Sequence, residues 1–208
     1  YDIKNIPNAC LTGVGPHPRH IIMLTCDAFG VLPPIAKLSP EAATYHFING
    51  YTAKVAGTER GVKEPEAVFS ACFGAPFMAH FPNIYAQILL KKIKEHNVSC
   101  WLVNTGWSGG PYGVGNRMKI SWTRALLHQA LDGSLAQAKF IKDPVFNLDV
   151  PVEVSGVPKE ILNPKDTWTD KAAYDAQAKK VAQLFHENFK IYQDMLAKEI
   201  ASSGPHKT

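Results

Sequence analysis

The apolar positions of this chain fall into two arrangements, short continuous runs and longer stretches with helical periodicity. Continuous apolar runs over 20–26 and 98–103 predict buried β-strands. Apolar residues recur every three to four positions over 40–49, 82–96 and 121–131, which predicts amphipathic helices. Strands that alternate with helices are typical of α/β proteins. The pattern therefore predicts an α/β fold, a mixed sheet with packed helices.

Local signals define the ends of the first two helices. Ser39, Pro40 and Glu41 supply an N-cap, a proline at the first helical position and an acid in the first turn, and Gly50 should end that helix. Asn97 should end the second helix. One face of the second helix is expected to pack inward, and it carries Ile84, Tyr85, Ile88, Leu89 and Ile93.

The carboxyl-terminal part has a different pattern. Four prolines interrupt residues 140–168, and valines alternate within them, which predicts an extended, edge-like segment that wraps a core built elsewhere. A long terminal helix is predicted over 170–200. Its core-facing stripe would consist of Tyr174, Ala178, Val181, Phe185, Phe189 and Tyr192.

Composition narrows the class of protein. The chain has 208 residues, 46% of them hydrophobic and 19% charged, as in ordinary globular domains. The net charge of +4 is spread without any Lys/Arg run longer than two, so we expect neither nucleic acid nor a membrane as a partner. No apolar stretch approaches the ~18 residues that a spanning helix needs.

The four cysteines bear on the compartment. They lie far apart without a Cys-x-x-Cys pair, and Cys26 and Cys100 sit inside apolar runs. This favours buried free thiols in a reducing, cytoplasmic compartment, with a disulfide or a metal site as the alternative. The histidines also lack the spacing of metal ligands, so no metal site is predicted in this chain.

Residues 103–124 carry the clearest chemical signal. Five glycines lie between Gly106 and Gly115, directly after a predicted strand, and Arg117 follows shortly before a predicted helix at Ser121. Strand, glycine-rich loop, cation and helix N-terminus together are typical of a nucleotide or anion site. The loop is not a Walker A motif, because no Gly-Lys-Ser/Thr follows. An irregular surface loop is the alternative.

Two further features allow two interpretations each. Asp27 ends the first predicted strand, where α/β sheets place ligand-facing groups, but it could equally cap the turn before Gly30. The polar stretch 53–65 could be a solvated loop or a mobile lid, since glycines bracket its centre.

Several separated phrases resemble one family, ATP-dependent phosphoenolpyruvate carboxykinase. The phrases are Leu24-Thr-Cys-Asp-Ala-Phe-Gly-Val-Leu-Pro-Pro34, Tyr51-Thr-Ala-Lys-Val-Ala-Gly-Thr-Glu-Arg-Gly61, Phe69-Ser-Ala-Cys-Phe-Gly-Ala75, Leu102-Val-Asn-Thr-Gly-Trp107, Gly115-Asn-Arg117 and Thr123-Arg124. They occur in order and cover nearly the whole chain. Together the phrases are highly specific for this family, although each phrase alone is modest evidence.

The resemblance implies a fold, a reaction and its cofactors. Members convert oxaloacetate and ATP to phosphoenolpyruvate, ADP and carbon dioxide in gluconeogenesis, with divalent Mg or Mn. Residues 1–208 would form the carboxyl-terminal part of the nucleotide-binding domain of a two-domain carboxykinase, a carboxy-lyase. The family's P-loop and metal ligands would lie upstream, and neither pattern occurs here. We therefore expect this segment to need the amino-terminal part of the enzyme for activity.

The resemblance also implies roles for individual residues. The adenosine-contacting positions, within the adenosine-binding loop 103–124, are Arg117, Met118 and Thr123, and Met118 stands where the family usually has Ile. The candidate mobile lid over 50–70 contains Thr58, Glu59, Arg60 and Gly61. For Asp27 the expectation is a structural role. No catalytic residue is assigned with certainty in this segment.

Two other functions are compatible with the same residues. The chain could be a non-catalytic nucleotide-binding or interaction module derived from such an enzyme, or a structural piece that binds nothing. The first residue is Tyr1 rather than a methionine, and we expect a truncated polypeptide on that basis.

Overall fold

The computed structural model describes residues 2–54 and 64–207. The predicted lid residues Thr58, Glu59, Arg60 and Gly61 lie outside the described residues. The strands are β1 (His20–Thr25), β2 (Ile35–Leu38), β3 (Tyr51–Lys54), β4 (Glu66–Phe69), β5 (Ser99–Asn104), β6 (Trp107–Ser108), β7 (Asn116–Arg117), β8 (Phe140–Lys142) and β9 (Asp149–Pro151). The helices are α1 (Pro40–Asn49), α2 (Pro82–His96), α3 (Ile120–Leu131), α4 (Lys159–Leu162), α5 (Pro164–Thr167), α6 (Lys171–Phe189) and α7 (Lys198–Ser202).

A five-stranded mixed sheet with the order β1-β5-β2-β9-β8 organises the fold. Only the β1–β5 pair is parallel, whereas β5–β2, β2–β9 and β9–β8 are antiparallel. Side chains of successive residues point to opposite faces of a strand. Accordingly, Ala36 and Leu102 pack with α1, α2 and α6 on one face, and Ile35 and Trp101 pack with α3 on the other. The predicted α/β class is confirmed.

The first two helices have the predicted ends. Ser39 accepts a hydrogen bond from the Ala42 amide, and Gly50 ends α1 in the left-handed conformation with φ +54°. A side chain at Gly50 would also collide with the Ser70 carbonyl. Asn97 ends α2 in the same left-handed region. These caps satisfy backbone groups that a helix leaves unpaired at its ends.

The buried side of α2 differs from the predicted one. Ala86 and Ile93 are fully buried, whereas Ile84 and Ile88 are 41% and 54% exposed. Ala86 and Ile93 therefore define the side of α2 that lies in the core cluster with α1, and Ile84 and Ile88 fall outside that side. The predicted inward face is therefore only partly buried.

Residues 140–168 join the main sheet rather than wrap around it. β9 pairs with both β2 and β8, and α4 and α5 follow as two short helices. Pro151 is compatible with β9 because the hydrogen bonds to β8 pass through alternate residues, such as Val152 N to Lys139 O. The extended, edge-like character is confirmed for β8 and β9, since β8 is the outer strand of the sheet, but these strands pair with the sheet instead of wrapping it.

The predicted helix over 170–200 is interrupted after Phe189. Its core stripe is confirmed, since all six predicted residues are buried. The chain then turns so that Ile200 on α7 is buried against α1. A straight helix would carry Ile200 about 16 Å beyond Phe189 at 1.5 Å per residue, away from that contact.

The cysteines are free thiols, with Cys26, Cys72 and Cys100 buried and Cys10 exposed. Buried free thiols at Cys26 and Cys100 agree with the sequence. Within the described residues, no helix combines the length and apolarity needed to cross a bilayer.

Candidate functional site

The turn after β1 is organised by Asp27, which is fully buried. One carboxylate oxygen accepts from the Phe29 amide (3.0 Å) and the Tyr51 hydroxyl (2.9 Å). The other accepts from the amides of Val31 (2.7 Å) and Leu32 (2.9 Å). Burial, and next the Asp27 charge, raise the pKa of the Tyr51 hydroxyl, so it stays a donor. Asp27 is thus a structural residue, as expected.

Asn104, at the end of β5, joins this turn to the glycine-rich loop. Its amide oxygen accepts from the backbone N–H groups of Asp27 (3.0 Å) and Gly106 (2.8 Å), and its nitrogen donates to the Leu32 carbonyl (3.0 Å). A side chain on Gly106 would meet the Asp27 backbone at 2.1 Å. The loop therefore starts in direct backbone contact with the Asp27 turn. An amide side chain at the end of a buried strand is the sequence signal that marks Asn104.

The glycine-rich loop itself is a β-hairpin. Trp107 and Ser108 on β6 pair with residues 117 and 116 on β7. Gly110 has φ +144°, and a side chain on Gly115 would meet the Gly110 carbonyl at 2.3 Å. These two glycines permit tight backbone packing inside the hairpin. Their immediate role is to shape the hairpin that carries Arg117.

Arg117 is held in a defined orientation although it is exposed. Its Nε donates to the Thr105 carbonyl (3.0 Å), and its guanidinium carbon lies 4.8 Å from the centre of the Trp107 ring. Trp107 is buried in a small cluster that includes Cys26. Burial raises the pKa of the Cys26 thiol and the Arg117 charge partly opposes this, so the thiol is neutral near pH 7.

A cavity of about 460 Å³ lies beside Arg117; we call it the Arg117 cavity. This volume is typical of small-molecule pockets, which range from about 300 to 1,000 Å³. It contains two cations, Arg117 and Lys119, and no carboxylate among its described lining residues. Its lining consists of Ser108, Gly109, Asn116, Arg117, Lys119, Trp122, Ile161 and Thr167.

The wall of the Arg117 cavity comes from two distant parts of the chain. Ile161 and Thr167 belong to α4 and α5, within the segment 140–168 that was predicted only to wrap the core. The Ser108 hydroxyl donates a hydrogen bond to the Thr167 hydroxyl (3.2 Å), and the Thr167 hydroxyl donates to the Pro164 carbonyl (2.7 Å). Lys119 lies over the Trp122 ring at 4.8 Å. These residues of the wall were missed, because stacking and long-range contacts leave no local sequence pattern.

The three residues predicted to contact adenosine lie in three different environments. Arg117 lines the cavity, whereas Met118 is buried beneath it in the α3-side core and bonds Gly106 O through its amide (2.8 Å). The Thr123 hydroxyl donates to the Lys119 carbonyl at 3.5 Å, a bond within the first turn of α3 back to the carbonyl four residues earlier. Neither Met118 nor Thr123 is among the lining residues, and their contact with a nucleotide stays a prediction.

Two larger hollows lie elsewhere. One of about 610 Å³ is beside Lys37 and Lys94, and one of about 570 Å³ is beside His186 and His206. Neither contains a residue of the 103–124 loop. Within residues 2–54 and 64–207, no group of three or more His, Cys, Asp or Glu side chains is arranged to hold a metal ion.

Comparisons with known proteins agree on one family. The model of the phosphoenolpyruvate carboxykinase family matches residues 1–160. The chain is 60% identical over 201 residues to phosphoenolpyruvate carboxykinase (ATP) of Geotalea uraniireducens, covering 97% of this chain and 38% of that protein. It is 57% identical over 205 residues to the Thermus thermophilus protein of the same name, covering 99% of this chain and 39% of the relative. The chain thus spans about two fifths of the length of these curated relatives.

Proposed function

The chain belongs to the phosphoenolpyruvate carboxykinase (ATP) family, and on that premise we propose that it is the adenosine-binding segment of such an enzyme. The whole enzyme would cleave the carbon–carbon bond that joins the departing carboxylate to the rest of oxaloacetate, releasing carbon dioxide. The enolate oxygen would then attack the γ-phosphorus of ATP, with ADP leaving. This segment would contribute the adenosine side of the ATP site.

The Arg117 cavity is the observation that carries this proposal. An adenine ring is aromatic, and a guanidinium plane stacks on such rings better than an ammonium does. Arg117 is already oriented by Trp107 and by the Thr105 carbonyl, so little side-chain freedom is lost when a base binds. Lys119 adds a second positive charge beside the bound nucleotide.

The phosphates and the divalent metal would be held outside this segment. Phosphoryl transfer depends on cations that neutralise charge around the γ-phosphate and position it. The described residues contain no cluster suited to a metal, and the chain has no P-loop sequence. We therefore assign the Mg or Mn, the P-loop and the catalytic groups to the amino-terminal part of the enzyme. The lid over 50–70, including Thr58, Glu59, Arg60 and Gly61, remains part of this proposal.

The test joins this chain to the amino-terminal part of the Geotalea uraniireducens relative. The joined polypeptide should form phosphoenolpyruvate from oxaloacetate only when ATP and Mg or Mn are present, and this chain alone should form none. A folded joined polypeptide that binds ATP but forms no product would favour the non-catalytic nucleotide-binding module. One that neither binds ATP nor forms product would contradict the proposal.

A further inference from the structure

A hollow of about 570 Å³ lies between the end of α6 and the segment 201–207, beside His186 and His206. We call it the carboxyl-terminal hollow. It shares no described lining residue with the Arg117 cavity. Its volume falls within the range of small-molecule pockets, about 300–1,000 Å³. The chain therefore has room for a small molecule at a place other than the proposed adenosine site.

Hydrogen bonds hold the segment 201–207 in place as one wall of this hollow. Asn147 Nδ2 donates to the carbonyls of Ser202 (3.1 Å) and Gly204 (3.4 Å). The backbone N–H of His206 donates to the Val145 carbonyl (2.8 Å). This wall is therefore formed before any ligand binds, which lowers the entropy that binding costs.

Tyr45 on α1 lines the hollow and has a polar atom without a partner. The residue is 1% exposed, and no described group forms a hydrogen bond with its hydroxyl. A side chain on Gly204 would meet the Tyr45 ring at 2.4 Å, so the segment 201–207 packs directly on this ring. Burial raises the pKa of the hydroxyl and the Asn49 amide only partly opposes this, so the hydroxyl stays a donor. Because buried donors are nearly always paired, an oxyanion in the hollow is the kind of group that would satisfy it.

Positive charges outnumber negative ones around the hollow. Lys190 and Lys207 line it together with His186 and His206, and Glu187 is the single carboxylate among its described lining residues. Both oxygens of Glu187 accept from Lys190, at 2.7 and 2.8 Å. Within residues 2–54 and 64–207, no carboxylate forms an ion pair with Lys207. The hollow therefore favours an anion over a cation.

Other parts of the lining are apolar. Phe189 packs against Tyr45 with the ring centres 4.7 Å apart, and Ala201 and Pro205 contribute from the segment 201–207. An inorganic anion would leave these surfaces in water, whereas a molecule with an apolar body would cover them, which is favourable in proportion to the area covered. The lining thus combines a charged part with an apolar part.

We propose that the carboxyl-terminal hollow binds a small organic anion, whose carboxylate or phosphate pairs with Lys207 and His206 while its apolar body contacts Phe189 and Pro205. An exposed ion pair contributes little affinity by itself. The apolar contacts therefore supply affinity, and the charged groups select an anion over a neutral molecule of the same shape. This site is additional to the proposed function.

Calorimetric titration of the joined polypeptide tests the ligand class, with ATP and Mg at saturation so that the proposed adenosine site is filled. The probes are benzoate, phenyl phosphate, the neutral benzamide and inorganic phosphate. We expect at least one aromatic anion to bind about tenfold more tightly than both benzamide and inorganic phosphate. Benzamide binding as tightly as the anions would overturn the proposal. Absence of binding by either aromatic anion at about 10 mM would overturn it too.

The two aromatic anions distinguish the sources of the charge. Tighter binding of phenyl phosphate would support the proposal with a phosphate ester as the ligand. Tighter binding of benzoate would support it with a carboxylate.

Matched substitutions locate the bound anion. Lys207→Gln removes an exposed charge from the hollow, and Lys180→Gln removes an exposed charge of α6 that lies outside it. We expect Lys207→Gln to weaken binding of the tighter anion about fivefold and Lys180→Gln to leave it unchanged. Equal effects of the two substitutions, or none, would overturn the inference. A loss caused by Arg117→Ala instead would place the anion in the adenosine site and overturn it as well.

Discussion

The guanidinium carbon of Arg117 lies 4.8 Å from the centre of the Trp107 ring. Because Trp107 is buried and the Arg117 Nε is bonded to a backbone carbonyl, the hairpin fixes the orientation of the cation. Within residues 2–54 and 64–207, no carboxylate forms an ion pair with the Arg117 guanidinium. The hairpin therefore presents Arg117 in a fixed orientation beside the Arg117 cavity.

The first prediction concerns ATP affinity. In the joined polypeptide, Arg117→Ala should raise the Kd for ATP about 10-fold or more, since a desolvated cation–π contact contributes about 1–2 kcal/mol. Arg117→Lys should lose most of this affinity despite keeping the charge. Lys180→Ala, which removes an exposed charge on α6, is the matched control. Calorimetric titration measures the Kd, and an unchanged value for Arg117→Ala would remove Arg117 from the site.

A second prediction concerns the Asp27 turn. Asp27→Asn preserves shape but replaces an acceptor oxygen by a donor that faces N–H groups, and we expect a loss of about 2–4 kcal/mol in unfolding free energy. Tyr51→Phe removes only one donor and should cost about 1 kcal/mol. Urea unfolding measures both. Equal losses for the two variants would show that the backbone donors do not depend on the carboxylate.

The third prediction concerns acid stability. Burial lowers the pKa of His46 from 6.5 to about 4. The unfolded chain therefore takes up a proton near pH 6.5, whereas the folded protein does not until about pH 4. The free energy of unfolding should be independent of this group above pH 6.5 and fall by about 3 kcal/mol as pH drops from 6.5 to 4.

His46→Leu should remove this part of the acid loss, and substitution of the exposed His128 by Gln should not. Urea unfolding at several pH values provides the measurement. If wild type and His46→Leu lose equal stability over this window, burial of His46 has no part in the pH dependence.

The fourth prediction concerns thiol reactivity. A hydrogen bond with the Thr12 side chain, the largest cause, lowers the pKa of the exposed Cys10, whereas burial raises the pKa values of Cys72 and Cys100 to about 11. Since the thiolate is the reactive form, iodoacetamide at pH 7.5 should label Cys10 first. Cys10→Ser should abolish the fast phase, and Thr12→Val should slow it. Mass spectrometry identifies the labelled residue, and fast labelling of Cys72 would contradict the assignment.

The sequence predicts features governed by local chemistry. Ser39 and Gly50 mark the ends of α1 because capping depends on adjacent residues, and the apolar run 98–103 corresponds closely to β5. The stripe on α6 is buried because its period matches the helix. Such features need only neighbouring positions.

Features that depend on distant residues were not predictable in this way. Ile84 and Ile88 share the period of a core face, yet α2 lies in the core through Ala86 and Ile93 and leaves both isoleucines exposed. Thr167 reaches the Arg117 cavity across 50 positions from residue 117, through its contact with Ser108. The family resemblance identified Arg117 but gave no indication of Trp107 as its support.

The two-part wall of the Arg117 cavity has a consequence for synthesis. The hairpin of residues 107–117 leaves the ribosome well before Thr167, by about 3–10 s at ~5–20 residues per second. The side of the cavity formed by α4 and α5 is then attached to the turn after β1, because Trp168 Nε1 donates a hydrogen bond to the Gly30 carbonyl (2.8 Å). A nascent chain thus carries an oriented Arg117 before it has an enclosed pocket. The wall of the Arg117 cavity is accordingly complete only after Thr167 has been synthesised.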